Sequence, residues 1–452
     1  MKSVPEKKEI LTTWKDIANY LDCSVRTCCR WEKEYGLPIK RVGENSGTTV
    51  YAFKHELDNW LQKRKEMQKA QTADFFRQKK RYFYISSIAF VALAAFLAIF
   101  LLMRIGTARQ PVDFNIHHST LTILDDAGSA LWSFDTGIEN LKPGSFYRDH
   151  FQYKRTGSRG DYDNLRLPVL MIKDIDNDKK NEVLFAAKTE DQLNEEVLYC
   201  FDHEGNERWR FITGRELKFG SKLYSPDYRI HGFDADDLDG DGDLEIIVFS
   251  YNRWDFPCQF LLLDSDGNKL GEYWNSGQLK DTAFVDLNDD GIKEIILVGM
   301  NNEYAKSCLL VFEADRIDGC SPQQKDFWKC RELGPGSEKY YIIFPFIDLI
   351  LLETALMEPI IQIDILKNDR LQLRTGISNI FYELNLELEL VDVKLSHGFL
   401  IKYNEFVRQE KIKKELNQSE YMEELSNGLL YWDGRDWVST PTMNSGWKNG
   451  VK

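Results

Sequence analysis

Three patterns of apolar and polar positions divide the chain. In residues 11–63, Trp14, Ile17, Ala18 and Leu21 recur at i, i+3, i+4 and i+7. Val25, Cys28 and Cys29 form a second helical stripe, and Phe53, Leu57, Trp60 and Leu61 a third. Thr13-Trp14-Lys15-Asp16 opens the first helix as a capping box, Ser24 caps the second, and Gly36 followed by Pro38 ends it. Between the second and third helices, IKRVGENSGTTVYAF places two β-prone runs around a Gly-Glu-Asn-Ser-Gly turn, which reads as a hairpin wing. Residues 82–103 then form an uncharged run of 22 residues. As a helix rising about 1.5 Å per residue it spans roughly 33 Å, enough for a bilayer core. Beyond residue 110, short β-prone runs alternate with acidic turns.

Charge separates the parts on either side of the run. Residues 1–81 hold 18 Lys and Arg against 11 Asp and Glu, and the remainder holds 40 against 61. Eight basic residues lie within 63–81, while Arg104 and Arg109 are the first beyond the run. The side richer in Lys and Arg stays in the cytoplasm, so the run reads as a single-pass anchor in the cytoplasmic membrane. The N-terminal part would lie inside, and the acidic part in the periplasm or outside the cell. With 81 residues ahead of it and GTARQP after it, the run is a poor cleaved signal.

The basic part carries a candidate nucleic-acid face. Arg26, Arg30 and Lys33 share one side of the second helix, with Thr27 beside them and Lys40 and Arg41 on the wing. Donors projecting from one helix face are what base edges and phosphates require. The residues LTTWKDIANYLDCSVRTCCRWEKEYGLPIKRV and TVYAFKHELDNWL resemble the MerR/excisionase type of winged helix-turn-helix. The resemblance implies that Arg26, Thr27 and Arg30 touch duplex DNA while Lys40 and Arg41 reach a phosphate or the minor groove. Cys28-Cys29 departs from that pattern and reads as small apolar packing. One such head has a small footprint, so specificity implies pairing of heads in a homodimer.

The acidic part repeats. Asp174-x-Asp176-x-Asp178…Glu182, Asp237-x-Asp239-x-Asp241-Gly242…Glu245 and Asp286-x-Asn288-x-Asp290-Gly291…Glu294 align, each followed by an apolar run. A second piece recurs as LYCFDHEGNERWRF and FLLLDSDGNKLGEY, with relatives at 121–134 and 380–393. Recurring groups of short strands signal a radially repeated sheet architecture, and about 50 residues per blade allow six or seven blades, of which four or five are visible. Oxygen ligands at positions 1, 3, 5 and 9 can wrap a hard cation. The same Asp residues can instead bond their own backbone in a turn. Asp237, Asp239, Asp241 and Glu245 favour the cation. Asp286, Asn288, Asp290 and Glu294 are balanced between the two. Asp174–Glu182, with Lys179 and Lys180 in place of Gly, reads as a self-bonded turn. These segments resemble FG-GAP/VCBS (integrin-α-like) repeats, which implies structural Ca2+ at the blade turns.

Of the five cysteines beyond the run, Cys320 and Cys330 are the one plausible disulfide in an oxidising compartment. No Gly-x-Ser-x-Gly, His-Glu-x-x-His or phosphate loop is present, so the sequence carries no enzyme signature. The expected fold class is therefore multidomain. It comprises an α-rich winged helix-turn-helix over 1–63, a basic helical linker over 64–81, a transmembrane helix over 82–103 and an all-β propeller-like domain over 104–452. The expected function is a membrane-anchored one-component transcription regulator, in which a DNA-binding head is coupled to an external sensor for an unknown ligand or protein. The alternative is a cell-surface binding or adhesion protein whose small head binds protein.

Overall fold

The structure is a computed structural model and describes residues 9–42, 49–67, 93, 96, 109–148, 167–189, 196–252, 256–349, 352 and 357–449. The chain divides into two compact units, Met1–Ala108 and Arg109–Lys452.

In the first unit the caps act as their residue types dictate. The Thr13 hydroxyl accepts the Asp16 amide at the start of α1 (Trp14–Tyr20). The Ser24 hydroxyl accepts the Thr27 amide at the start of α2 (Val25–Tyr35), and Gly36 closes α2 at φ +60°. Strands β1 (Ile10–Leu11), β2 (Lys40–Val42) and β3 (Thr49–Phe53) form one antiparallel sheet in the order β1-β3-β2, and a helix covers 54–67. Ile17, Ala18, Cys28, Leu37, Ala52 and Leu57 make the core.

Among the described residues the second unit holds five antiparallel sheets of three or more strands and one two-stranded hairpin, nearly every strand pairing with the next in sequence. The first holds β4 (Asp113–His117), β5 (Thr120–Leu124) and β6 (Ala130–Asp135). The second holds β7 (Leu170–Lys173), β8 (Glu182–Ala186), β9 (Val197–Phe201) and β10 (Glu207–Ile212). A small hairpin of β11 (Leu217–Phe219) and β12 (Lys222–Tyr224) precedes the third. That sheet holds β13 (Tyr228–Asp236), β14 (Glu245–Asn252), β15 (Cys258–Leu263) and β16 (Lys269–Asn275). The fourth holds β17 (Leu279–Val285), β18 (Glu294–Asn301), β19 (Lys306–Phe312) and β20 (Tyr340–Ile343). The fifth holds β21 (Ile360–Leu366), β22 (Arg370–Thr375), β23 (Ile380–Leu384) and β24 (Leu390–Leu395). This meander of four strands is the topology of a propeller blade.

The central strands are apolar on both faces, and the two faces serve different neighbours. On β14, Ile246 and Val248 join a core shared with the first two sheets, while Ile247 and Phe249 join one shared with the fourth. On β18, Ile295 and Leu297 face the third sheet, while Ile296 and Val298 face the fifth. A tryptophan also locks each of the first two sheets to the next. Trp132 Nε1 donates to the His203 carbonyl at 3.2 Å and Trp209 Nε1 to the Ser265 carbonyl at 2.9 Å. Gly205 and Gly267 lie under the two rings.

The expected fold class is corrected on three counts. Among the described residues the chain as a whole is mostly β-sheet with short helices, and in the first unit three helices pack with a three-stranded sheet. The acidic unit is not all-β, because helices His397–Arg408 and Gln418–Asn427 pack their Phe399, Phe406 and Leu425 into the core of the last two sheets. No helix among the described residues is long and apolar enough to cross a membrane. The expected span at 82–103 lies outside the described residues except for Leu93 and Phe96, both helical and exposed. Where six or seven blades were expected, the described residues of the second unit form five sheets of three or more strands. The hairpin β25 (Leu430–Trp432) and β26 (Trp437–Val438) is no blade, because β25 pairs with β20 and widens the fourth sheet. Among the described residues no core cluster joins the first sheet to the fifth.

Two glycines of the same turn test the lock. Gly128 and Gly267 have φ +74° and +79°, but a Cβ at Gly128 meets nothing within 4 Å, whereas one at Gly267 comes within 2.5 Å of Trp209. Gly128→Ala should cost roughly 1–2 kcal/mol from backbone strain alone. Gly267→Ala should add about 1–3 kcal/mol of overpacking. Urea unfolding of the two variants should separate them in that order, and equal losses would refute the ring-over-turn contact.

Candidate metal centre in the acidic loops

The three acidic repeats each join the first strand of a sheet to its second, and they share one conformation. The fourth and sixth residues have positive φ in all three: Asn177 and Lys179, Gly240 and Gly242, Asp289 and Gly291. In each, a carboxylate oxygen of the first Asp accepts the sixth residue's amide, at 3.1 Å for Lys179, 3.2 Å for Gly242 and 2.7 Å for Gly291. The closing glutamate reaches back to the second residue's amide, from Glu182 to Ile175, Glu245 to Leu238 and Glu294 to Leu287, at 3.1, 2.9 and 2.8 Å. Lys179 thus adopts the left-handed conformation that glycine takes in its counterparts. Successive loops are tied in a row, because the Leu244 amide donates to the Ile175 carbonyl and the Lys293 amide to the Leu238 carbonyl.

The loops differ in the cation that meets the acids. At the first, Arg208 Nη1 donates to Asp176 at 2.6 Å and lies 3.7 Å from Glu182, while Nη2 reaches Asp266 at 3.4 Å. At the third, Lys339 Nζ binds Glu294 at 2.7 Å and Glu313 at 2.9 Å. At the second, Asp237, Asp239 and Glu245 place one oxygen each within 4.8 Å of one another, and among the described residues they form no ion pair with a basic side chain. Asp174, Asp176 and Glu182 converge in the same way, whereas Asp286, Asp290 and Glu294 do not form such a set and Asp241 is not one of the converging three. Burial, with Asp239 and Asp241 nearby, raises the Glu245 carboxyl above the usual range. Burial likewise pushes Glu182 up to about 7.

A cavity of about 510 Å³ opens beside the second loop, between the third and fourth sheets. Asp239, Glu245, Asp290, Glu313 and Asp315 give it acidic walls, and exposed Leu270 and Ile292 add apolar surface. Its one basic lining residue, Lys293, is bonded to Asp236 at 2.7 Å. A hard cation suits this donor set, since carboxylates supply the oxygens and only the ion is needed to offset their repulsion.

In the head, Arg26, Arg30 and Lys33 lie exposed on α2. The other expected DNA contacts are engaged within the unit. Thr27 Oγ1 bonds Ser24 Oγ at 2.8 Å, Lys40 binds Glu56 at 2.8 Å and Arg41 binds Glu32 at 2.8 Å. Arg30 lies 4.0 Å from Glu34. Sequence reasoning singled out Cys28-Cys29, but the close pair is Cys23 and Cys28, with sulfurs 3.2 Å apart. Burial and Cys23 push the Cys28 thiol up to about 12, which leaves it an inert packing group. Cys320 and Cys330 are free thiols in contact, and the hydrogen bond from Cys320 lowers the Cys330 thiol below its ordinary range. Arg208 and Lys339 were missed as site residues, because no spacing rule links a loop to a cation so far along the chain.

Residues 174–248 match the FG-GAP-like repeat family. The match spans the first two acidic loops and leaves the head outside it. No characterised protein matches the sequence at a significant level. Among solved structures, the chain is similar to the Dos1 propeller, at 7% identity and TM-score 0.29, with 62% of this chain and 65% of that one covered. It is similar to BBS1N in complex with ARL6DN, at 7% and 0.31, with 64% and 70% covered. A third likeness is to the V. cholerae biofilm matrix protein Bap1, at 16% and 0.20, with 46% of this chain and 34% of that chain covered. The chain thus spans less than two thirds of the first of these structures and about a third of the last.

Proposed function

We propose that the chain is a binding protein of the adhesion type, whose stacked sheets present a rim of linked acidic loops to a protein partner outside the cytoplasm. A structural Ca2+ held by Asp237, Asp239 and Glu245 would stiffen that rim. The observation that carries this reading is the second loop. It has the backbone of both neighbours and the converging carboxylates of the first loop, but among the described residues no ion pair with a basic side chain. The family match over 174–248 supports it.

The head, on this reading, binds a protein and not DNA. Lys40 and Arg41, which would hold phosphates, already pair with Glu56 and Glu32. A duplex would have to displace those carboxylates before gaining the same charges.

Three outcomes follow. Calcium should raise the melting temperature of the full chain, by the equivalent of about 2.7 kcal/mol at a hundredfold excess over its dissociation constant, and Asp239→Ala should abolish the gain. A chelator that leaves wild-type melting unchanged would remove the ion from the account. Calcium affinity should fall as pH drops from neutral, and should start to fall at milder acidity than for an ordinary carboxylate. The reason is that Glu245 has a raised pKa and takes up a proton there, and only its ionised form binds the ion. Binding heats at a series of pH values would show this. Finally, the full chain should not retard duplex DNA at low salt; retardation that vanishes in Arg26→Ala/Arg30→Ala would overturn the protein-partner reading.

A further inference from the structure

The turn DHEGNER at 202–208 and the turn DSDGNKL at 264–270 are the same structure. Asp202 accepts the Asn206 amide and side chain, and Asp264 accepts those of Asn268. The strand after each turn then carries one extra residue against its neighbour. In the second sheet Glu207 pairs with Phe201 and Trp209 with Cys200, so Arg208 is the bulged residue. In the third, Lys269 pairs with Leu263 and Gly271 with Leu262, so Leu270 is. Arg208 and Leu270 therefore hold equivalent positions beside equivalent loops. Arg208 puts its guanidinium against Asp176 and Glu182, whereas Leu270 is an exposed wall of the cavity beside Asp239 and Glu245.

We propose that Arg208 is a built-in cation standing where calcium would sit in the first loop, so that the residue at this bulge decides whether each of the first two loops takes a metal ion. This rests on the reading of the second loop as a calcium site. Two observations support it independently of acidity. A protein cation is seated on the first loop's acids, which shows that this geometry holds positive charge. One oxygen of Asp174 is buried there without a hydrogen-bond partner, an oxygen that the loop backbone positions and the guanidinium does not use. Lys339 does the corresponding work at Glu294, from just ahead of the fourth strand of its sheet. The chain would then carry one calcium ion in three loops of one shape.

The test is calorimetric titration of the full chain with calcium chloride, with far-ultraviolet circular dichroism to confirm folding. Wild type should bind one ion and Arg208→Leu two. Leu270→Arg, which places a guanidinium at the second loop, should bind none, and Arg208→Lys should remain at one. A folded Arg208→Leu that still binds one ion would overturn the proposal while leaving calcium at the second loop intact. Wild type binding none while Arg208→Leu binds one would remove the second-loop site and leave the role of Arg208 standing. Should Arg208→Leu fold only when calcium is supplied, the ion is doing the work of the guanidinium, as proposed. Should it fail to fold in either condition, Leu270→Arg decides: full retention of the wild-type site there would overturn the equivalence of the two positions.

Discussion

A sheet that is apolar on both faces cannot stand in water, and that constraint organises the acidic unit. Strand β15 is buried at every position, and so is β8. Such strands need a neighbour on each side, and each neighbour is again a sheet of the same kind. Stacking is therefore obligatory, and it fixes everything at the ends of the strands. Once two sheets pack with alternate residues facing opposite ways, their first hairpins must lie side by side. The acidic loops form a row because the cores beneath them do.

The same packing sets the electrostatics of the loops. The closing glutamate of each loop is the first residue of a core strand and bonds an amide at the loop's start. It must be near the apolar layer to make that bond, and at Glu182 and Glu245 burial there disfavours the charge. Further acids of the loop stand a few ångströms away. Each loop needs positive charge, and the molecule supplies it twice from neighbouring strands. Arg208 comes from the outermost strand of its sheet, and Lys339 from just ahead of the fourth strand of the next sheet but one. Both reach the loop because the meander returns the fourth strand to the same end of the sheet as the first hairpin.

What could be read from the sequence follows from how local each feature is. The caps at Thr13 and Ser24, the left-handed Gly36 and the Asp-x-x-Gly turns are decided within a few residues, and the patterns showed them. The acidic loops were legible for the same reason, down to the glutamate at position nine. Lys179 was misleading. Its presence in place of glycine made the first loop read as a self-bonded turn without a cation, and the hydrogen bonds of Asp174 and Glu182 hold it in the same left-handed conformation as the glycines of the other loops. Arg208 lies 26 residues beyond Glu182 and acts only because a bulge turns it towards the loop; nothing in the spacing of charges announces that. The pairing of the C-terminal hairpin was also hidden, since only the fold brings β25 beside β20. In the head, the charges were legible but not their partners. Lys40 and Glu56 are 16 residues apart, and only the fold brings them to 2.8 Å.

The paired cations of the head and those of the loops follow one rule. A basic side chain close to a fixed carboxylate is committed, and a surface is available to a partner only where such commitment is missing. Counting lysines and arginines on the head overstates its attraction for phosphate, because two of the wing charges are already balanced. Counting aspartates in the acidic unit likewise overstates its capacity for metal, because the first and third loops are balanced from within. The second loop has the same shape and more carboxylates, and leucine stands where a neighbour has arginine. Among the described residues its carboxylates form no ion pair with a basic side chain.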